Sequence, residues 1–245
     1  MSENFRSGPH GTERLDADHI FHFQCSPGLS CFTECCGDVT IALTPYDVLR
    51  LKNALGVDSE EFLDDYTIII PKRNKLIPMV VLKMNESDKR CPFVTPQGCS
   101  VYEHRPWPCR MFPLDVNDDG TFSIIPGAKK CRGLEQHVGQ RVSDWLIEQG
   151  VPVYDEMNNL LGQITSPLRA QQPDIDNPQI LKMVFMALYN LDKFRKFVFS
   201  STFLDRFEIE EIRIEKIKRS DIELYKFAID WIKFGVFGQK LFQVK

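Results

Sequence analysis

The chain has 245 residues, which is long enough to bury a hydrophobic core without covalent cross-links. Its 30 lysine and arginine residues nearly balance its 34 aspartate and glutamate residues, and the formal net charge is -4. This balance lacks the basic surface of a nucleic-acid-binding protein, so the sequence predicts no nucleic-acid partner.

The N-terminal residues are polar and carry both signs of charge, without the apolar segment of a secretory signal. No later stretch holds the roughly 18 apolar residues that a membrane-spanning helix needs. We therefore expect a soluble, cytoplasmic protein without a membrane span, in a compartment that keeps thiols reduced.

Residues 1–19 are polar, contain glycine and show no periodicity, which predicts a flexible N-terminal arm. From His19 to Cys25, apolar and polar residues alternate, which predicts a short strand that leads to the first cysteine. A second short strand is predicted for residues 37–43.

Two helices are predicted next from their end signals. Thr44 and Pro45 are typical of the N-cap and the first position of a helix, and Gly56 is typical of its end. Asp58 begins a capping pattern that predicts a second helix over residues 59–66.

The middle of the chain combines strand patterns with a proline-rich stretch. β-branched runs at 67–70 and 77–84 predict an antiparallel hairpin. The prolines between residues 91 and 113 exclude long regular structure there, so this loop needs another source of order, such as metal coordination. Residues 121–126 predict a further strand.

The second half of the chain is predicted to be mainly helical. Apolar periodicity indicates a helix over roughly 135–149 and a long helix that starts at Asn177 and Pro178. Residues 165–178 are polar and contain prolines, which is typical of an interdomain linker or a traversing loop.

Residues 207–217 fit either a bulged strand or a charged helix, and the pattern leaves both open. Ser220 is a capping residue for an amphipathic helix that ends at Gly235 or Gly238.

These elements predict an α+β protein. It would hold a small cysteine-rich, metal-stapled domain of short strands and loops, followed by a mainly helical C-terminal layer. The predicted boundaries are a flexible arm at 1–19, a metal-binding domain at 20–150 and a helical region at 151–245 that packs on it.

Eight cysteines are the main chemical signal, and all of them lie in the first half of the chain. In a reducing compartment such a set more often binds metal than forms disulfides. Thiolates are good ligands for zinc, copper(I) and iron–sulfur clusters. The predicted metal ligands are Cys25, Cys31, Cys35, Cys36, Cys91, Cys99, Cys109 and Cys131.

The cysteine spacing does not select one metal. Only Cys31 and Cys35 have the spacing of a zinc knuckle, and the bacterial ferredoxin run is absent. Adjacent side chains diverge, so Cys35 and Cys36 are expected to serve two centres, or to bind one and support another. A vicinal disulfide is the alternative. Eight thiols could form two sites, or one site with spare thiols.

Basic residues near the second group of cysteines could balance the negative charge of a thiolate site, or they could be solvated surface charges. They are Arg90, Arg105, Arg110, Lys129, Lys130 and Arg132. His22 and His104 also lie near cysteines in sequence and could replace a sulfur ligand.

The spacing Cys-x5-Cys-x3-Cys-Cys from Cys25, the Cys91-Pro-Phe segment, and the sequence YEHRPWPCRMFP around Cys109 resemble the YkgJ-like cysteine-cluster family, described as a zinc- or iron-chelating domain. The resemblance covers roughly residues 22–133. It implies that all eight cysteines bind metal. Arg105 and Arg110 belong to the matching sequence around Cys109, and of the basic residues these two are predicted to lie beside the cofactor.

Three functions follow from these observations. The first is a metal-cluster protein with an iron–sulfur cluster of the 4Fe-4S type, or zinc instead. It would act in electron transfer, in metal handling or as an accessory subunit that binds another protein through its helical C-terminal region. The second is a structural zinc domain.

The third function is a protein-lysine N-methyltransferase, because the family resembles flagellin lysine N-methylase-like proteins thought to carry an iron–sulfur cluster. The sequence has no glycine-rich Rossmann loop for S-adenosylmethionine. It therefore assigns no catalytic residue and leaves open whether the protein is an enzyme.

Overall fold

The structure is a computed structural model that describes residues 13–71, 75–165 and 177–245. The helices in these ranges are α1 Pro45–Leu55, α2 Ser59–Tyr66, α3 Trp107–Met111, α4 Val142–Glu148, α5 Val151–Thr165, α6 Pro178–Tyr189, α7 Leu191–Ser200, α8 Phe203–Arg206, α9 Glu211–Arg219 and α10 Asp221–Phe237. The strands are β1 Ile20–His22, β2 Ala42–Leu43, β3 Thr67–Ile70, β4 Met79–Leu82, β5 Val94–Thr95, β6 Gly98–Cys99, β7 Leu114–Val116, β8 Phe122–Ile124, β9 Gly139–Arg141, β10 Phe207–Glu208 and β11 Gln243–Val244. Short 3₁₀ turns lie at Glu34–Cys36, Tyr102–His104, Pro126–Lys130 and Arg132–Glu135.

The described residues divide into two compact units. The cysteine unit comprises the residues up to Leu43 together with Leu82–Glu156, and the helical unit comprises Thr44–Val81 and Met157–Lys245. All eight cysteines belong to the cysteine unit. The predicted α+β class is confirmed, with short strands in small sheets and a mainly helical C-terminal half.

The predicted domain boundaries remain a prediction. They divide the chain into continuous segments, whereas each compact unit consists of two separate segments. Residues 44–81 lie within the predicted metal-binding domain but belong to the helical unit. Residues 1–12 of the predicted arm and residues 166–176 of the predicted linker lie outside the described residues.

The last residues of the predicted arm are bonded to the cysteine unit. Leu15 is buried and exchanges two backbone hydrogen bonds of 2.8 Å with Phe122. The backbone N–H groups of Val142 and Ser143 donate to the carbonyls of His19 and Ala17. These bonds connect residues 15–19 to β8 and to the start of α4.

The core of the cysteine unit forms around Trp145 on α4. Strand β1 pairs antiparallel with β9, and this pairing brings Phe21 and Phe23 against the indole ring. Both phenylalanine rings meet Trp145 edge-on, with centroids 5.5 and 6.2 Å away, which is a favourable aromatic geometry. The same packing fixes the chain direction just before Cys25.

Helix α4 begins at Val142, so the helix predicted from residue 135 starts too early. The intervening residues form a 3₁₀ turn and strand β9, and Gly139 lies opposite His22 of β1. Strand pairing therefore overrides the helical periodicity of this stretch. The predicted long helix is likewise divided, since Asn190 ends α6 and caps α7.

The helical unit confirms the local end signals. Thr44 and Asp47 form a capping box at the start of α1, and Gly56 ends that helix with a φ of 71°. Residues 207–217, which were open between strand and helix, contain both β10 and most of α9. Within the described ranges, none of the helices is long and apolar enough to cross a lipid bilayer.

A buried lysine organises the polar interior of the helical unit. Lys52 of α1 places its Nζ atom 3.0 Å from Asp192 Oδ2 and 3.1 Å from Asp221 Oδ2. Ser59 donates to Asp192 from both its backbone N–H and its hydroxyl. Burial works to raise the pKa of Asp192, but these hydrogen bonds and Lys52 outweigh it and lower that pKa.

Candidate metal centre

Cys25, Cys31 and Cys131 are brought together by backbone contacts between the first and last cysteine segments. The N–H of Gln24 donates to the carbonyl of Gly133 at 3.0 Å. The N–H of Arg132 donates to Cys31 Sγ at 3.2 Å, and the thiols of Cys31 and Cys131 share a hydrogen bond. Thiols separated by about a hundred residues in sequence therefore meet.

The adjacent cysteines lie on the 3₁₀ turn Glu34–Cys36, which is flanked by strained backbone. Among the described residues, the non-glycine residues with positive φ are Thr33, Asp38 and Lys89, at 67°, 52° and 58°. Such conformations cost about 1–3 kcal/mol each and are concentrated at functional sites. All three border the turn or the segment that docks on it.

The docking segment is held by Arg90. Its Nη2 atom donates to the carbonyl and the hydroxyl of Thr33, at 3.0 and 2.9 Å. The N–H of Cys91 donates to the carbonyl of Cys36 at 2.8 Å. Strands β5 and β6 then pair Val94 with Cys99, which returns a third thiol to the same region.

Backbone N–H groups that follow a cysteine donate to its sulfur at three positions. The donors are Phe93 and Val94 for Cys91, Val101 for Cys99, and Gly133 and Leu134 for Cys131. Each hydrogen bond favours the thiolate over the thiol, because it stabilises the charged form. The same kind of hydrogen bond stabilises thiolates that are metal ligands.

Burial and neighbouring thiols nevertheless keep several cysteines protonated at neutral pH. Burial first, and then Cys36 and Cys99, raise the pKa of Cys91 to about 11. Partial burial followed by Cys131 raises the pKa of Cys25, although that residue as a whole is exposed. Metal binding must therefore displace protons, so metal affinity rises with pH.

The adjacent thiols titrate as a pair. Their mutual hydrogen bond raises the pKa of Cys35 and lowers that of Cys36 to about 7, and Arg90 adds to the lowering. All eight cysteines are free thiols in the structure, which corrects the alternative of a vicinal disulfide. Cys36 is thus the thiol of this pair that first becomes a nucleophile or a ligand.

Arg105 and Arg110 are both buried, and they differ in what they contact. Burial raises the pKa of Cys99, and Arg105 opposes that rise. Burial lowers the pKa of Arg105, and Cys109 is among the groups that oppose that lowering. Arg110 donates to the carbonyls of Arg105, Gln149 and Glu103, at 3.0, 2.5 and 2.6 Å. Arg105 thus interacts electrostatically with the thiols of Cys99 and Cys109. Arg110 instead binds backbone carbonyl groups. Their predicted role beside a cofactor stays a prediction.

The remaining predicted residues are Arg132, His22, His104, Lys130 and Lys129. Arg132 pairs its guanidinium with Glu135, and both side chains are more than half exposed. His22 faces Gly139 in the β1–β9 ladder, and His104 lies on the 3₁₀ turn Tyr102–His104. Lys130 is exposed. The side chain of Lys129 lies outside the described set.

The residues around the thiols suit a soft metal, because thiol ligands lie here with backbone N–H donors and with the guanidinium groups of Arg90 and Arg105. Within the described part of the chain, no three cysteine, histidine, aspartate or glutamate side chains converge closely enough to hold an ion as they stand. Coordination would therefore require the thiol side chains to turn toward one another.

Sequence reasoning missed Gly133, which allows the two ends of the cysteine unit to approach. A Cβ atom at this position would lie 2.8 Å from Phe23 Cε2 and 3.0 Å from the carbonyl oxygen of Gln24. A glycine two residues after a cysteine was the available signal. Thr33 accepts hydrogen bonds from Arg90, and Gln149 accepts one from Arg110. The sequence carries no signal that would identify either residue.

Substituting Gly133 by alanine is expected to lower the free energy of unfolding by about 1–3 kcal/mol, because the added methyl group overpacks Phe23. The change should also reduce the amount of metal bound. Gly127→Ala is the matched control, since a Cβ there has no neighbour within 4 Å. Urea unfolding and metal analysis of both variants would check this, and equal behaviour would contradict it.

Comparison with known proteins identifies this cysteine segment. Residues 24–132 match the model of a family described as "Putative zinc- or iron-chelating domain". The match includes all eight cysteines and covers less than half of the 245-residue chain. No curated protein and no solved structure matched the chain. The family expected from the cysteine spacing is thereby confirmed over these residues.

Proposed function

We propose that the chain is an iron–sulfur protein, and that residues 24–132, which match the model of a zinc- or iron-chelating domain, hold its cluster. The observation that carries the proposal is the gathering of the thiols. Segments around residues 25–36, 91–99 and 131 meet through backbone hydrogen bonds, and N–H donors aim at the sulfurs of Cys91, Cys99 and Cys131.

The positive charge around the thiols suits a metal centre with thiolate ligands, because such a centre carries net negative charge. Arg90 acts on Cys36 and Arg105 acts on Cys99, so positive charge is available where thiolates form. N–H donors to sulfur and nearby charge are also the features that set the potential of iron–sulfur clusters. The spacing of the cysteines lacks the paired zinc knuckles, and this spacing favours a cluster over a zinc site.

The residues of the chain have distinct tasks in this proposal. Cys36, whose pKa is about 7, offers the first thiolate, and Arg90 holds the turn that carries it. The N–H groups of Phe93 and Val94 stabilise Cys91 once its proton leaves. A bound 4Fe-4S cluster would supply one-electron redox chemistry at this position.

The cellular role that we propose is electron transfer, metal handling or service as an accessory subunit, in the cytoplasm where thiols stay reduced. A protein partner would bind residues 151–245. Ile212 and Val244 support this, because each exposes more than half of its apolar side chain. No contact of the described residues assigns a substrate.

A structural zinc site is the second candidate, favoured by the family description, which names zinc beside iron. The metal would then supply folding energy to the loops of the cysteine unit and no redox chemistry. The same thiols would serve, so metal identity alone separates the two functions.

Anaerobic purification followed by absorption spectroscopy and by iron and sulfide analysis tests the proposal. We expect a brown protein with iron and acid-labile sulfide in equal amounts, and bleaching of the colour in air. A colourless protein with stoichiometric zinc would refute the iron–sulfur assignment and establish the zinc alternative. A protein free of both metals would overturn both.

A further inference from the structure

We infer that the chain associates with a second copy of itself by pairing the free edge of β3 with the same edge of the other copy, antiparallel and about a two-fold axis. The surface concerned, which we call the β3 edge, consists of Ile68, Ile69 and Ile70. These residues belong to the helical unit, and the inference does not rest on the proposed function.

The β3 edge is apolar and open to solvent. The side chains of Ile68, Ile69 and Ile70 have exposed fractions of 50, 43 and 41%. Successive side chains of a strand point to opposite faces, so both faces of β3 are uncovered here. Among the described residues, no other three consecutive large hydrophobic residues are exposed. Single exposed apolar residues are normal, whereas a contiguous group marks an interaction surface.

The backbone of β3 is also available for pairing. The strand is the last of its sheet and is paired with β4 on one side only. In the described part of the chain, no loop or turn donates a backbone hydrogen bond to Ile68, Ile69 or Ile70 or accepts one from them. Proteins commonly protect such an edge with lysine or proline, and Thr67–Ile70 contains neither. The edge is therefore suited to receive another strand.

Opposite charges at the two ends of β3 identify the other strand as a second copy in antiparallel orientation. Asp64 and Asp65 precede the strand and are exposed, and the basic sequence PKRNK follows it, with Lys75 exposed. Within the described ranges, the side chains of these three residues have no ion-pair partner. Antiparallel pairing places the start of one strand beside the end of the other, so each acidic end lies beside a basic end. Parallel pairing would bring like charges together.

A two-fold axis at Ile69 gives the register that we assign. It places Ile69 opposite Ile69 of the second copy, and Ile68 opposite Ile70 in both directions. Only β-branched side chains then face one another, and these fit a pleated surface well. The same surface is used by both copies, so the assembly closes at a dimer. Because the strand is short, we expect a dimer in equilibrium with the monomer.

Analytical ultracentrifugation of the full-length protein tests the inference, with a reductant present so that disulfides do not link the copies. Over about 1 to 200 µM, a range suited to a small interface, the average mass should rise from one chain toward two. Hydrogen exchange at both ends of this range should show greater protection of the peptide containing residues 67–70 at high concentration. A monomer throughout, or assembly beyond the dimer, overturns the inference.

Substitutions on the β3 edge provide a matched comparison. Ile69→Lys places two ammonium groups opposite each other and should weaken dimerisation about tenfold or more. Ile147→Lys is the control, because Ile147 on α4 is 65% exposed and lies outside the β3 edge. Asp65→Lys should also weaken dimerisation, since it places positive charge beside the basic end of the second copy.

The hydrogen-exchange result on the unmodified protein decides the matter if Ile69→Lys fails to fold. Dimerisation that Ile69→Lys or Asp65→Lys leaves unchanged overturns the antiparallel pairing through β3. Equal weakening by Ile69→Lys and Ile147→Lys overturns it as well, because association would then not depend on the β3 edge.

Discussion

Removing the metal from the loaded protein is expected to unfold the cysteine unit while the helical unit keeps its structure. Between residues 89 and 113, the longest helix or strand has five residues, so metal bonds would hold much of this loop. Structural zinc binding contributes roughly 10–16 kcal/mol in zinc-finger peptides, which is as large as the whole stability of a typical domain, about 5–15 kcal/mol. The result rests on the proposed function.

Hydrogen exchange measured by mass spectrometry before and after chelation would check this expectation. Peptides from residues 24–37 and 89–113 should lose protection. Peptides from α7 and α10 serve as the internal control, because their buried side chains pack within the helical unit. Unchanged protection in the cysteine peptides would show that the unit folds without metal.

Replacing Arg110 by methionine is expected to lower the free energy of unfolding by roughly 3–5 kcal/mol. The buried guanidinium donates to three carbonyl groups, and the substitution leaves these acceptors without that donor. The Arg110 guanidinium also stacks over the ring of Tyr154, with 4.4 Å between Cζ of Arg110 and the ring centroid, and this contact is lost too. Thermal and urea unfolding would measure the loss.

Arg132→Met is the control for this substitution, because it removes an arginine that follows a cysteine but is exposed. Its ion pair with Glu135 is open to solvent and should contribute no more than about 1 kcal/mol. Arg110→Lys should recover only part of the stability, since one ammonium cannot reach all three carbonyls. Equal losses in the Arg110→Met and Arg132→Met variants would show that burial of Arg110 has no energetic role.

Local signals explain what the sequence predicted well. Thr44, Asp58 and Ser220 cap helices where they were expected to, because a cap depends on the few residues that follow it. The metal-binding segment was also predictable, since cysteine spacing is visible without a fold. The assignment of all eight cysteines as ligands stays a prediction.

Long-range contacts explain what the sequence did not give. The start of α4 at Val142 depends on the pairing of β9 with β1, about 120 residues away in sequence. Likewise, the need for glycine at position 133 arises only because Phe23 packs against it. Neither partner can be identified from the residues on either side.

Residues 44–81 belong to the helical unit, and this limits which fragments of the chain can fold on their own. The segment that carries the family match encloses α1, whose Lys52 finds its carboxylate partners at Asp192 and Asp221. A fragment cut after residue 132 would retain this lysine and discard both partners. The cysteine segment is therefore not a portable module, and transplanting it requires replacing residues 44–81 with a short loop.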